Sequence, residues 1–280
     1  MDLEIVYRLY KNMKKILCTA LLTLASTLSF AETPNVDPQF EKVQKLVADK
    51  NFSAAYQELE RLSKSGSAQA TYNLAYLTQA GQGTKQDNAK AVQLYEQAGS
   101  KGYALANYVL AQNYATGGLG LTKNEQKSRQ YLEKSASQGF DDAIVELAVV
   151  LFAEGKDASD KLALQKLDPL IKKGSYPAIH AKALYDISTG FKNKNEAPIK
   201  QGLASIQDLG KKGYIPALMA IGNMFVNGNI VPQNLPEAQK IFTALSQQNI
   251  PQAKQSLDVV NKLIADKAKN PAKPAAKAKS

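Results

Sequence analysis

Small and apolar residues recur along this chain with a period of 35 to 39 residues. A glycine, once an asparagine, opens each copy of the pattern, and an alanine always follows four residues later. Position +8 holds leucine or isoleucine except in the fourth copy, where Lys182 stands. The openers are Gly66, Gly102, Gly139, Gly174, Gly213 and Asn249, and the alanines are Ala70, Ala106, Ala143, Ala178, Ala217 and Ala253. A fixed period of this length predicts a protein built from stacked repeats.

Each copy contains two helical segments. In the first copy, residues 67–80 contain neither proline nor glycine, and Asp87 is a suitable N-cap for a second segment that ends at Gly102. Residues 11, seven and four positions before each opener are small or apolar, and these spacings place them on one helical face. Seven positions before the opener stand Leu59, Tyr95, Leu132, Leu167, Ile206 and Phe242. We therefore predict two helices per copy, with the small residue at −11 allowing close approach of a neighbouring helix.

The turn and helix starts of the first copy carry a family resemblance. It has an A-x-A-x-x-x-L start, a G-x-G turn at Gly81 and Gly83, and a D-x-x-K-A run at Asp87, Lys90 and Ala91. The copy resembles a Sel1-like repeat, a relative of the tetratricopeptide repeat, and the resemblance extends over about residues 66–265. It implies an all-α fold, a right-handed α/α superhelical solenoid of helical hairpins.

The same register divides the chain into segments. We expect an N-terminal capping hairpin at 32–65, five repeats at 66–249, a C-terminal capping helix at 250–266 and a disordered tail at 267–280. The fourth repeat is the most degenerate, with Lys182 at a core position and Pro198 near its second helix. Two interpretations stay open for it: a docking site, or a bend that would divide the stack into 38–173 and 214–266.

Residues 1–31 have the pattern of a signal peptide. Lys11, Lys14 and Lys15 precede an apolar stretch of about 15 residues, and a small-x-small sequence ends at Ala31. The stretch is shorter than a bilayer span requires, so we expect cleavage before Glu32 and a periplasmic or secreted protein without a transmembrane span. Met13 is an alternative start.

Charge is unevenly spread along the chain. The net charge of +10 includes +2 from residues 1–31 and +5 from residues 267–280, which leaves +3 for 32–266. This near balance argues against nucleic acid as a partner. The lysine-rich tail is either a contact for an anionic envelope polymer or a solubilising spacer.

Candidate catalytic groups are scarce. Residues 32–280 contain no cysteine and a single histidine, His180, so a Cys/His pair is impossible and a histidine-based metal site is not expected. His180 stands at +6, where other copies have Tyr72 or Tyr108, and we interpret it as a packing residue. We interpret Asp141 and Asp142 as favourable charges at a helix start. The expectation is a protein without cofactor, metal or enzymatic activity.

A polar stripe on the first helices remains. Positions +3, +7, +10 and +14 point away from the predicted core, and in tetratricopeptide-like proteins the first helices line the concave surface. The resemblance makes this stripe a candidate protein-binding groove, and its predicted residues are Gln69, Asn73, Tyr76, Gln112, Glu146 and Asn223. We expect an exported scaffold or adaptor that binds another envelope protein. The alternatives are a peptidoglycan or envelope-polymer binder and, ranked lowest, a β-lactam-type hydrolase, whose cysteine-rich relatives this chain does not match.

Overall fold

The computed structural model describes residues 38–269, and it is helical throughout that range apart from turns and short loops. The predicted signal segment and residues 270–280 of the predicted tail lie outside the described residues. Thirteen α-helices follow one another in the described range. They are α1 (Pro38–Ala48), α2 (Phe52–Lys64), α3 (Ala68–Ala80), α4 (Asn88–Ser100), α5 (Ala104–Thr116), α6 (Glu125–Ser137), α7 (Asp141–Phe152), α8 (Asp157–Lys172), α9 (Tyr176–Lys192), α10 (Glu196–Lys211), α11 (Ile215–Asn227), α12 (Leu235–Ser246) and α13 (Pro251–Lys269). The all-α fold class and the two helices per copy are confirmed.

Side-chain caps begin many of these helices. Asp87 accepts a hydrogen bond from the backbone N–H of Lys90 at 2.9 Å, as its position before α4 predicts. Such a bond satisfies one of the backbone donors that a helix start leaves unpaired. The side chains that cap in this way are Asn51, Ser67, Asp87, Asn124, Asn195 and Asn234.

The residue that opens each copy ends the preceding helix in a left-handed conformation. Its φ ranges from +104° at Gly66 to +59° at Asn249. In every copy the next residue donates its N–H to the carbonyl four positions before the opener, for example Tyr103 to Ala98 at 3.0 Å. This is the Schellman end of a helix, which favours glycine and admits asparagine. The recurring glycine therefore reflects backbone conformation, since an added Cβ at Gly66 would meet nothing within 4 Å.

The predicted core positions are buried. All six alanines at +4 have no exposed surface, and the residues at −7 are at most 3% exposed. Four hydrophobic clusters within residues 38–269 each join three consecutive helices. One combines Phe40 of α1 with Leu59 of α2 and Leu74 of α3, and another combines Met219 of α11 with Phe242 of α12 and Val260 of α13. A hairpin thus completes its core only with the next helix, as stacked repeats require.

The small residue at −11 permits close helix packing, as predicted. In the fourth copy this residue is Gly202 of α10, and a Cβ there would lie 2.5 Å from the carbonyl oxygen of Ala183 in α9. Gly222 of α11 also has no room for a side chain, because a Cβ there would lie 2.5 Å from Cζ of Phe242. Backbone and ring occupy the space that a methyl group would need.

The chain divides into two compact units between Pro169 and Leu170. The N-terminal unit contains α1–α7 and most of α8, and the C-terminal unit contains the end of α8 and α9–α13. Pro169 lies inside α8, where it has no N–H to donate to the helical ladder.

The expected division of the stack after residue 173 falls close to the observed one between Pro169 and Leu170, but residues 174–213 belong to the C-terminal unit instead of separating it from 38–173. Helices α9 and α10 pack with α11 in one cluster that includes Ile187, Ile206 and Met224. Lys182 at the core position is only half-buried, because it forms an ion pair with Asp186 at 2.6 Å. Pro198 lies in the first turn of α10, where proline is tolerated. The degenerate sequence therefore still forms a packed hairpin.

An aromatic pair joins consecutive hairpins. The residue at +6 of one copy meets the residue at +1 of the next: Tyr72 with Tyr103 at 5.0 Å between ring centroids, and Tyr108 with Phe140 at 5.1 Å. Tilted rings at this separation attract each other beyond their hydrophobic burial. At the passage from the third copy to the fourth, the sequence carries valine and serine at these two positions.

The C-terminal helix is longer than predicted. Helix α13 continues to Lys269, so residues 267–269 of the predicted tail are helical. Lys267 donates a hydrogen bond to the side chain of Gln233, which gives the last turn a contact with the rest of the unit.

Candidate functional site

The predicted groove residues lie on the first helices of their hairpins. Gln69 and Tyr76 are half-buried on α3, Gln112 on α5 and Glu146 on α7. We call these four residues of the N-terminal unit the first-helix face. Asn223 is half-buried on α11, in the C-terminal unit. The assignment of these residues to a binding site stays a prediction.

The structure brings two members of the first-helix face into direct contact. Gln112 Nε2 donates a hydrogen bond to Glu146 Oε2 at 2.6 Å. Position +10 of the second copy thus meets position +7 of the third, 34 residues further along the chain. The bond fixes a carboxylate on the face and orients it between two hairpins, because an amide donor to a carboxylate is a strong, directional contact.

Asn73 corrects the prediction of an exposed stripe. Its side chain is only 7% exposed, so it offers little surface to a partner. Position +7 of the first copy therefore does not belong to the exposed stripe.

Tyr76 has a mixed role. It packs against the cluster formed by α1, α2 and α3 while remaining half-buried. An aromatic ring in this setting presents an amphipathic edge to solvent at little entropic cost, which suits a protein contact.

Sequence reasoning missed a polar network between α4, α5 and the end of α6. Asn107, 3% exposed, donates through Nδ2 to the Gly99 carbonyl at 3.2 Å and to Gln138 Oε1 at 2.8 Å. Gln138 Nε2 donates to the same carbonyl at 3.1 Å. Gly99 leaves room for this contact, since a Cβ there would lie 2.4 Å from the Asn107 amide oxygen. The available signal in the sequence was Asn107 itself, an amide side chain directly after the alanine at +4.

His180 packs as its register predicts. It is 8% exposed and lies edge-on to Tyr214, with ring centroids 5.6 Å apart. Burial lowers the pKa of His180 to about 4, although a backbone hydrogen bond at Pro216 acts in the opposite direction. The imidazole is therefore neutral at pH 7, because its charged form would lose hydration without gaining a counter-charge.

The acidic pair at 141–142 and the Gly-rich sequence at 117–120 lie at a helix start and between two helices. Asp141 and Asp142 occupy the first turn of α7, where carboxylates complement the helix dipole. Burial, followed by the charge of Asp141, raises the pKa of Asp142. The Gly-rich sequence at 117–120 contains a 3₁₀ turn between α5 and α6, Gly118–Gly120.

Residues 38–269 contain neither a metal-binding cluster nor a membrane-spanning helix. That part of the chain holds no group of three His, Cys, Asp or Glu side chains placed to bind a metal ion. Nor does any of its helices combine the length and apolar character needed to cross a bilayer.

Consecutive helical hairpins with a fixed period of about 36 residues define an α-helical repeat protein. The Sel1 repeat model matches residues 68–103, 104–140 and 215–249. These three segments match Sel1 repeats, which confirms the resemblance that the first and fifth copies carry. Repeats of this family generally mediate contacts between proteins.

Solved structures show the same fold. A Sel1 repeat protein from Oxalobacter formigenes is similar with a TM-score of 0.62 at 21% identity, over 82% of this chain and 90% of that one. A protective antigen of uropathogenic Escherichia coli with an SLR fold is similar with a TM-score of 0.52 at 18% identity, over 81% of this chain and 53% of the antigen. None of the curated proteins searched matches this sequence.

Proposed function

We propose that this protein is an exported, non-enzymatic scaffold that binds another envelope protein through the first-helix face. The observation that carries the proposal is the Gln112–Glu146 hydrogen bond, which holds polar groups of two hairpins in one orientation. Half-buried Gln69 and Tyr76 add an amide and an aromatic ring on the neighbouring first helix. A face that is ordered before binding loses little conformational entropy on association.

A charge-change variant tests the face. Gln69→Lys with Glu146→Lys alters two half-exposed side chains without removing a core residue. The control is Gln130→Lys with Glu133→Lys, which makes the same chemical change at exposed positions of α6, outside the first-helix face. Pull-down from solubilised envelopes, read by mass spectrometry, should retain a partner with the parent protein and the control. Loss of that partner from the face variant alone supports the proposal, and equal retention by all three proteins contradicts it.

Export is supported by the basic and apolar pattern of residues 1–31. N-terminal sequencing of the protein recovered from the periplasmic fraction or the medium should begin at Glu32. If the protein stays in the cytoplasm with its initial residues intact, the proposals of export and of an envelope partner are wrong.

The non-enzymatic part is supported by the chemistry of the exported segment, which lacks cysteine and holds its single histidine buried and neutral. Purified protein should not turn over a chromogenic β-lactam. If turnover copurifies with the protein and is lost on heat denaturation, the protein is a hydrolase and the non-enzymatic part of the proposal is wrong.

A further inference from the structure

The net charge of this protein is concentrated in its C-terminal unit. Residues 38–169 carry fifteen basic and fifteen acidic side chains, so their net charge is zero. Residues 170–269 carry thirteen lysines, no arginine and six acids, which gives a net charge of +7. A surface of one sign concentrates partners of the opposite sign, and the attraction weakens with salt. The C-terminal unit therefore has an electrostatic property that the N-terminal unit lacks.

Four of these lysines occupy equivalent turns of consecutive repeats. Lys172 and Lys173 immediately precede one opening glycine, and Lys211 and Lys212 immediately precede the next. All four residues are exposed. At the other openers of the chain, the two preceding residues include at most one lysine. The paired lysines thus distinguish this edge of the C-terminal unit from the corresponding turns elsewhere.

Contacts of Tyr176 join the two turns. The Lys212 ammonium lies 5.7 Å from the Tyr176 ring centroid, and the ring of Tyr214 lies edge-on to Tyr176 at 5.8 Å. Tyr176 follows Lys173 by three residues in the sequence, and its ring lies beside Lys212 of the other turn. The ring is 39% exposed, although its size and apolar character favour burial. Lys212 and an exposed aromatic ring therefore lie together on this part of the unit.

Helix stability explains only part of this arrangement. A lysine in the last turn of a helix complements the negative end of the helix dipole. Lys212 also forms an ion pair with Asp208 at 2.8 Å. Neither effect accounts for the exposed aromatic ring beside Lys212.

We propose that Lys172, Lys173, Tyr176, Lys211 and Lys212, the lysine patch, dock the C-terminal unit on the surface of an anionic lipid bilayer. Lysines near an anionic membrane add attraction residue by residue without a fixed geometry. Tyrosine suits the headgroup level, where its ring meets apolar carbon and its hydroxyl meets water. The absence of arginine from residues 170–269 disfavours planar, bidentate recognition of nucleic-acid phosphates and bases.

Vesicle sedimentation of the full chain tests the lysine patch. The probes are phosphatidylcholine vesicles and vesicles that also contain phosphatidylglycerol, each at low and high salt. The readout is the difference in affinity between the two lipids, which cancels a lipid-independent contribution of the apolar residues 16–30. The patch variant replaces its four lysines by glutamine. The control replaces Lys192, Lys200, Lys254 and Lys262, which are exposed lysines of the same unit, by glutamine.

The parent should prefer anionic vesicles at low salt and lose that preference at high salt. The patch variant should lose at least about tenfold in affinity for anionic vesicles, and the control less than about threefold. Tyr176→Ser, which keeps every charge, should weaken the same binding by about threefold.

Three results would overturn the proposal. The parent would show no lipid preference, or both glutamine variants would lose the same affinity, which would indicate diffuse charge. Alternatively, a soluble polyanion such as DNA or an acidic glycan would bind through the patch while vesicles did not. Thermal unfolding followed by circular dichroism identifies any variant that has lost its fold.

Discussion

The imidazole of His180 lies edge-on to the ring of Tyr214, 5.6 Å away, at the positions where Tyr72 meets Tyr103 in the first two repeats. A histidine thus occupies one place in a series of contacts between consecutive hairpins. Its buried Nε2 has no hydrogen-bond partner among the described residues. This makes the neutral imidazole part of the packing, and it makes protonation unfavourable in the folded state.

Acid should therefore destabilise the C-terminal unit through His180. Its folded pKa of about 4 lies below the ordinary value of 6.5. The unfolded chain binds the proton first, so stability is complete above pH 6.5 and falls as the pH decreases towards 4. The full loss amounts to about 3 kcal/mol. Urea unfolding of the parent and His180→Phe at pH 7.5 and pH 4.5 measures it.

The His180→Phe variant should lose less stability than the parent between these two pH values. Glu58 provides a contrast, since hydrogen bonds from Arg61 and Lys42 lower its pKa to about 2. Its contribution is lost only below about pH 4.5, as the carboxylate protonates. An identical pH dependence in parent and His180→Phe would show that His180 is not the responsible group.

The glycine that opens each repeat should be required for its backbone angle. At Gly139, φ is +86° and a Cβ would meet nothing within 4 Å. Gly139→Ala should lower the free energy of unfolding by about 1 kcal/mol, and Gly139→Asn by less, because asparagine tolerates this region better. Asn249→Gly should stabilise the protein by a few tenths to about 1 kcal/mol. Urea titrations give these values, and a neutral Gly139→Ala would contradict the conformational explanation.

Gly202 should be required for space. In Gly202→Ala the new Cβ would press on the Ala183 carbonyl oxygen at 2.5 Å, and we expect a loss of about 2 kcal/mol. Gly210→Ala in the same helix is the matched control, since its Cβ would approach Ile221 Cδ1 at 2.9 Å, the movable end of a side chain. That control should be neutral or slightly stabilising, given the helix propensity of alanine. Equal melting temperatures for both variants would show that α9 and α10 can separate without cost.

The Gln112–Glu146 contact should appear as a coupling energy. A double-mutant cycle with Gln112→Ala and Glu146→Ala should give about 0.5–1.5 kcal/mol, as expected for a half-buried hydrogen bond to a carboxylate. The control pair is Gln239 and Asn261, whose side chains share an exposed hydrogen bond of 2.7 Å. This pair should couple by less than about 0.5 kcal/mol. If the first pair couples no more than the control, the first-helix face is not fixed by this bond.

Much of the fold was predictable because its determinants are local. A helix end requires the opening glycine, and one helical face requires the alanine at +4 and the residue at −7. The same requirements recur in every copy. The candidate site was less predictable. Helical periodicity placed Asn73 on an exposed stripe, whereas the folded chain buries it. It also gave no sign of the contact between Asn107 and Gln138, which are 31 residues apart.

The sequence by itself determined the repeat, the two helices per copy, the core positions and the all-α class. Each of these depends on residues that lie close together in the sequence. Only the tertiary structure decided that the fourth hairpin packs into the C-terminal unit, that Gln112 meets Glu146, and that Lys212 lies over Tyr176. Each of these depends on which faces of neighbouring helices come together. That choice follows from the combined packing of three helices at a time, and no single segment of the sequence specifies it.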